Sequence, residues 1–168
     1  MFMVNQLIGF GASAGEAVET LVDRTTGTNI GNMTSSGGLA AAFDGNTNQT
    51  GASSASTAGA PGYVGKTYGA GKRISKVIVY GSNNEGYAFT SNASTTIVLR
   101  GKNGAAPASR TDGTSLGSIT FTDTTNESAP RTITSSDQVT TWLHVFVDID
   151  DGLGSAMICT ELEIYELI

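Results

Sequence analysis

A run of oxygen-bearing side chains around one glycine is the part of the sequence best suited to binding chemistry. In "GGLAAAFDGNTNQT", residues 37–50, Asp44, Asn46 and Asn48 alternate with Gly45 and Thr47. Carboxylate and carbonyl oxygens on a sharply turning loop are what a hard cation such as Ca²⁺ requires. Asp-Gly is also among the commonest turn pairs, so the same residues are consistent with a simple turn. The residues alone leave both interpretations open.

The sequence offers little for catalysis. Its only histidine and only cysteine, His144 and Cys159, fall on different predicted strands, with no third group to orient them as base and nucleophile. "GFGASAGEA" lacks the preceding strand and the last glycine of a nucleotide-binding loop. Asp148, Asp150 and Asp151 are expected to lie together in a turn, as a solvated loop or a cation contact. We predict that the chain is not an enzyme, that His144 is a hydrogen-bonded sheet residue and that Cys159 is a buried, inert thiol.

Charge and composition exclude several kinds of partner. The chain has 9 Lys and Arg against 15 Asp and Glu, a net charge of −6, which is the wrong sign for a nucleic-acid surface. The one basic concentration, Lys66, Lys72, Arg73 and Lys76, is expected to be a solvated rim, with an acidic or phosphate partner as the alternative. No apolar run is long enough to insert in a membrane, and the N-terminus lacks the basic start of a signal peptide.

Alternating apolar and polar residues predict an all-β chain. Strands are predicted in "RISKVIVYGS", "TTIVLRGKNG", "TSLGSITFTD", "RTITSS", "TTWLHVFVDID" and "AMICTELEIYEL". Short strands separated by glycine- and asparagine-rich turns are typical of a β-sandwich. In "SAGEAVETLVD", Ser13 and Glu16 stand at capping-box spacing, which allows one short helix. We therefore divide the chain into an N-terminal arm with this helix, residues 1–27, and a sandwich, residues 28–168.

Three segments, in order, resemble parts of the galactose-binding-like jelly rolls, which include discoidin domains, fucose-binding lectins and related carbohydrate-binding modules. "NIGNMTSSGGLAAAFDGNTNQT" resembles their opening strand and the Ala-rich turn into a DGN loop. "GYVGKTYGAGKRISKVIVYGSN" resembles the block in which a short extended segment precedes a long strand. "CTELEIYEL" resembles the closing strand. The resemblance runs from Asn29 to the C-terminus and implies a jelly-roll β-sandwich.

In many members of this family a structural calcium ion sits where the DGN loop meets the closing strand. By that resemblance Asp44 and Glu161 would supply carboxylates, while Asn46 would supply its backbone carbonyl. The resemblance therefore implies a metal site of Asp44, Asn46 and Glu161, with Ca²⁺ as a structural cofactor.

The sugar-binding residues of the family do not carry over to this sequence. Those sites use histidine, arginine or aromatic side chains on loops, whereas the only histidine here is predicted to lie mid-strand. Tyr63 and Tyr68 fall in the block that resembles a core-edge strand and are interpreted as structural. No ligand-binding residue is assigned from the sequence.

The sequence favours a structural component of a phage-like virus particle, such as a spike, tail or head-decoration protein with a host-surface carbohydrate as a candidate ligand. The jelly roll is a favoured fold for such proteins. The apolar start "MFMVNQLIGFG" is suited to adding a strand to a neighbour's sheet, and it is equally consistent with an ordinary first strand of this same domain. The expected location is the virion, assembled in the host cytoplasm, with other virion proteins and copies of the chain as partners. The alternatives are a free calcium-dependent lectin or carbohydrate-binding module, and a connector that binds no glycan.

Overall fold

The described part of the chain is mostly β-strand in this computed structural model. The structure describes residues 16–48, 54–57, 61–81, 94–122, 129–150, 152 and 156–168. In chain order the strands are β1 Glu19–Leu21, β2 Thr28–Gly31, β3 Ser35–Ser36, β4 Ala55–Ser56, β5 Gly62–Tyr80, β6 Ser94–Lys102, β7 Thr114–Thr122, β8 Arg131–Thr134, β9 Thr141–Asp150, β10 Ile158–Cys159 and β11 Glu161–Leu167. A 3₁₀ helix, Leu39–Phe43, forms from the Ala-rich turn, and no helix among these residues is long and apolar enough to cross a membrane. All six segments predicted to contain strands do so.

The longest strand, β5, belongs to two packed sheets. Its first part pairs antiparallel with β2 and β9, and β6 and β7 follow beyond β9; we call this the front sheet. Its second part, from Ile74 onward, pairs with β11 and β8, and β1 lies at the edge of β11; we call this the back sheet. The β5–β9 register shifts between Thr67 and Lys72, and an irregularity of this kind bends a strand. The sequence predicts a short extended segment and a separate strand here, whereas in the structure one strand continues from the front sheet into the back sheet.

Apolar side chains of the two sheets meet in one core. Across the front sheet, Val64 lies opposite Val147, which in turn lies opposite Leu99, and all three are fully buried. Because strand side chains alternate between faces, the residues next to these three along each strand point to the outer face of the front sheet. The back sheet contributes Val77, Val79, Ile133, Leu162 and Ile164 to the same core. The predicted all-β sandwich is confirmed.

The segment before residue 28 differs from the prediction. Glu19–Leu21 form β1 against the end of β11, and the backbones of Val18 and Ile168 exchange hydrogen bonds of 2.9 and 3.0 Å. The predicted short helix is therefore wrong at these residues, because the edge of the back sheet supplies the backbone partners that an isolated helix would have to provide itself. Residues 19–21 thus belong to the sandwich. Ser13 and the apolar start of the predicted arm lie outside the described residues.

The four basic residues expected to form a solvated rim are engaged within the sandwich. Lys66 is only 4% exposed. Lys72, Arg73 and Lys76 each bind a side chain or carbonyl of β1 or β11. The solvated-rim expectation is wrong for Lys66, since its position on β5 shares the inward-facing row with Val64.

Candidate functional site

The structure brings the DGN loop and the closing strand together, as the resemblance implies. Asp44 follows the 3₁₀ helix, and Gly45 turns the chain with a φ of +83°. The Gly45 N–H donates to Oε2 of Glu161, at the start of β11, over 3.0 Å. Asn46 is engaged within the loop: its N–H donates to Asp44 Oδ1 at 2.8 Å, and its side-chain oxygen accepts the Asn48 N–H at 3.1 Å. The loop is therefore a hydrogen-bonded turn beside a buried carboxylate.

Glu161 is fully buried, and its positively charged partner is Arg24, in the turn between β1 and β2. Arg24 Nε lies 2.5 Å from Glu161 Oε1, and Arg24 Nη2 lies 2.9 Å from Glu163 Oε1. Burial raises the pKa of Glu161, and the hydrogen bonds from Arg24 and Gly45 oppose that effect by stabilising the charged form.

A guanidinium group thus stands against the carboxylate that the resemblance assigns to calcium. Within the described ranges, no group of three or more His, Cys, Asp or Glu residues is arranged to hold a metal. This donor set fits an internal ion pair better than the six to eight oxygens that Ca²⁺ takes. The calcium site of Asp44, Asn46 and Glu161 stays a prediction.

A second site lies on the outer face of the front sheet, where β6 and β9 run side by side. Asp148 of β9 is only 2% exposed, although it points away from the core. It accepts hydrogen bonds from Arg110 Nη1 at 2.7 Å and from Arg100 Nη2 at 3.2 Å. Arg110 Nη2 also lies 2.7 Å from Asp150 Oδ2. One buried carboxylate therefore fixes two guanidinium groups side by side.

These charged groups line a groove of about 430 Å³, which we call the Arg–Asp groove. Its lining residues are Ser94, Thr96, Val98, Arg100, Arg110, Thr111, Asp148, Asp150 and Gly152. The volume lies within the usual range of small-molecule sites. Hydroxyl, guanidinium and carboxylate groups surround the apolar side chain of Val98. Such a surface presents many donors and acceptors at fixed positions and suits a ligand that carries several hydroxyl groups.

The loop that carries Arg110 is tied to the front sheet on both sides of that residue. Asp112 accepts hydrogen bonds from Lys102 Nζ at 2.6 Å and from the Ala108 N–H at 2.8 Å. Nearer the start of the loop, the Asn103 side chain donates to the Thr141 carbonyl at 3.0 Å. These bonds hold Arg110 in place before any ligand arrives, which reduces the entropy that binding would cost.

His144 and Cys159 have the structural roles predicted for them. His144 is 4% exposed; its Nδ1 lies 2.8 Å from the Thr67 hydroxyl and its Nε2 lies 2.9 Å from the Gly104 carbonyl. Cys159 is fully buried, and burial raises the pKa of its thiol. Neither side chain is placed to act as a base or a nucleophile.

We expect Cys159 of the native protein to resist Ellman's reagent. A thiol must ionise and be reached by the reagent before it reacts, and burial opposes both. Over the time in which denatured protein reacts fully, the absorbance of the native sample should show no modification of the thiol. Equal rates for native and denatured protein would contradict the burial of this side chain.

Solved structures share this architecture along nearly the whole chain. A family 32 carbohydrate-binding module of C. perfringens NanJ, in complex with galactose, superposes with a TM-score of 0.64 at 16% identity, covering 89% of this chain and 100% of that one. An F5/8 type C domain from Bacteroides fragilis gives 0.61 at 13% identity, covering 91% and 98%. The chain has the galactose-binding-like fold. A fucose-binding module from Streptococcus pneumoniae superposes on this fold with a TM-score of 0.58 at 14% identity, covering 86% and 97%.

The likeness to these galactose-binding-like domains lies in the fold. No family model and no curated protein matches the sequence. The jelly-roll sandwich implied by the three resembling segments is confirmed by the superpositions. At these identities the superpositions assign no ligand-binding residue to this chain.

Sequence reasoning named carboxylates of both sites but missed the arginines that pair with them, Arg24, Arg100 and Arg110. Arg24 lies in the segment assigned to the arm, and no local pattern connects it with Glu161, 137 positions away. Asp148 and Asp150 are expected in a turn, but both lie in β9, so that expectation is wrong; Asp151 lies outside the described residues. The signal was the alternation in "TTWLHVFVDID", which continues through Asp150 and places both carboxylates on the face opposite to the core.

Proposed function

We propose that this chain is a carbohydrate-binding module and that a sugar binds in the Arg–Asp groove. The observation that carries the proposal is the groove itself, in which buried Asp148 holds Arg100 and Arg110 beside a row of hydroxyl groups. Sugars are recognised by hydrogen bonds to their hydroxyls from groups that are already in position. Support comes from the fold neighbours, one of which was solved with galactose and another of which is a fucose-binding module.

The groove provides fixed donors and acceptors on one apolar strip. Along β6, Thr96 and Val98 lie opposite Asp150 and Asp148 of β9, so they share the outer face with those carboxylates. The pyranose ring of a sugar has apolar C–H faces and polar edges. Val98 can contact the ring while Arg110 and Asp150 bind hydroxyls at its edge. No proton transfer or bond cleavage is required of these groups.

A glycan array followed by calorimetry tests this function. The wild-type chain should bind a defined set of sugars, and Arg110→Ala should weaken that binding by at least about tenfold, because a hydrogen bond from a charged donor is worth about 1.5–3 kcal/mol. Arg73→Ala is the matched control, since it removes an arginine that does not line the groove. Circular dichroism must show that both variants are folded.

Two outcomes would overturn the proposal. If the folded wild-type chain binds no sugar on the array, the function is wrong. If a sugar binds, but Arg110→Ala and Arg73→Ala bind it as tightly as the wild type, then the Arg–Asp groove is not the site.

The location on a virus particle, with other virion proteins and copies of the chain as partners, stays a prediction from the sequence. If the chain is a virion protein, we expect the purified chain to form closed rings or trimers. A free lectin or carbohydrate-binding module does not need to form them and can be a monomer. Light scattering during size-exclusion chromatography measures this difference.

A further inference from the structure

The junction between the DGN loop and the closing strand contains a carboxylate that needs a cation. Glu161 is 0% exposed, and a buried carboxylate is costly unless it is paired and hydrogen-bonded. Both of its oxygens have partners: Oε1 accepts from Arg24 Nε and Oε2 accepts from the Gly45 N–H. The cation at this junction is therefore supplied by the chain.

Arg24 is held at this position through both its side chain and its backbone. Its Nη2 binds Glu163 Oε1 at 2.9 Å, and its carbonyl accepts a hydrogen bond from Lys66 Nζ at 2.6 Å. Lys66 is itself nearly buried, and its ammonium group lies 4.4 Å from the centre of the Phe43 ring. The guanidinium is thus fixed by two carboxylates of β11, and the Arg24 backbone is held by Lys66 of β5.

The guanidinium also lies against the loop that would bind a metal. A Cβ placed on Gly45 would lie 3.8 Å from Arg24 Nε, so the guanidinium group lies beside this turn. A calcium ion bound to Glu161 would need oxygens 2.3–2.6 Å from its centre. Both oxygens of Glu161 that could bind such an ion already accept hydrogen bonds, one from the guanidinium and one from the Gly45 N–H.

We infer that Arg24 is the resident cation of this junction and takes the place of a structural calcium ion. Guanidinium is planar, permanently charged and able to donate to two carboxylates at once, which is what Glu161 and Glu163 require. The folded state of this chain should therefore be independent of divalent cations. The inference concerns the stability of the fold and does not depend on the proposed sugar site.

Thermal unfolding with and without chelator tests the inference. The midpoint of the wild-type chain should be the same in millimolar calcium and in EGTA. Arg24→Met should lower the midpoint by about 10 °C, because it leaves a buried carboxylate without its cation. Lys76→Met is the matched control: it keeps an apolar stem and breaks a more exposed pair with Glu19, and it should lower the midpoint by only about 2–4 °C.

Arg24→Lys keeps the charge but loses the planar donor set, and its midpoint should fall between those of the wild type and Arg24→Met. A wild-type midpoint that rises by several degrees in calcium and falls in EGTA would overturn the inference, and this comparison needs no variant to fold. Equal losses for Arg24→Met and Lys76→Met would overturn it as well.

Discussion

Replacing Asp148 with alanine is expected to lower the free energy of unfolding by about 3 kcal/mol, because it leaves two neighbouring guanidinium groups without their shared partner. The Asp148 side chain is 3% exposed, and the side chains of Arg100 and Arg110 are 15% and 32% exposed. The two like charges are held close together by this carboxylate and would repel each other without it. Urea denaturation followed by the fluorescence of Trp142, the only tryptophan, measures the loss.

Asp150→Ala provides the matched control for Asp148→Ala. Asp150 binds only one of the two guanidinium groups, Arg110, and its side chain is 26% exposed. An ion pair that reaches solvent is worth up to about 1 kcal/mol, so Asp150→Ala should cost no more than that. If the two variants lose equal amounts of stability, burial of Asp148 does not organise the groove as we describe.

The strands of this fold could be predicted because most of them leave one face to the core and one to the outside. In β6, Ile97 and Leu99 show this alternation directly. In β9, the row Val145, Val147 and Ile149 faces the core, although the other face of that strand is largely buried too. The continuity of β5 could not be predicted in the same way. The glycine-rich middle of β5 predicts a break between two strands. In the structure, β2 and β9 pair with the part of β5 before this segment, and β11 and β8 pair with the part after it.

The predicted helix before residue 28 failed for a related physical reason. A short amphipathic segment has no stable state of its own, and its conformation is decided by the partner it meets. Here that partner is the edge of β11, which pairs with Glu19–Leu21. A strand pairing between the two ends of the chain carries no local signal.

The candidate sites show how much of a site the residue types in a sequence can indicate, and how much depends on the folded structure. Asp44 and Glu161 are recognisable as neighbours only through the family resemblance, and the structure does place their segments side by side. Arg24, in contrast, pairs with Glu161 at that junction but lies in no recognisable sequence motif. Charges of opposite sign that meet from distant segments are the least visible feature of a sequence, because the pairing depends on the completed fold.

Both charge clusters lie where a loop meets a sheet. Arg24 joins the turn after β1 to β11, and Arg110 joins the β6–β7 loop to β9. Buried ion pairs contribute little net stability compared with apolar packing, but each is costly to break once it is formed. Such pairs therefore select one loop conformation over its alternatives, and a pre-organised binding surface requires that selection.

Replacing Gly65 with alanine is expected to cost about 3 kcal/mol or more of the free energy of unfolding, because the β5 and β9 backbones approach too closely for a side chain. A Cβ on Gly65 would lie 2.2 Å from the Val145 carbonyl oxygen and 2.3 Å from Phe146 Cβ. The neighbouring Phe146 is fully buried and packs edge-on against the Tyr63 ring, with centroids 5.6 Å apart. Neither backbone can move aside without disturbing the centre of the front sheet, and the change in the urea midpoint measures the cost.

Gly69→Ala separates this clash from a general intolerance of β5 to substitution. Gly69 lies on the same strand, but a Cβ built there meets no atom within 4 Å. Since alanine reduces the conformational freedom of the unfolded chain, Gly69→Ala should be neutral or stabilising by up to about 1 kcal/mol. Failure of Gly65→Ala to fold, beside a normally folded Gly69→Ala, is the extreme form of the expected result. Equal stability of the two variants would mean that β5 and β9 are spaced more widely at Gly65 than described, and that Phe146 is not packed directly over the glycine.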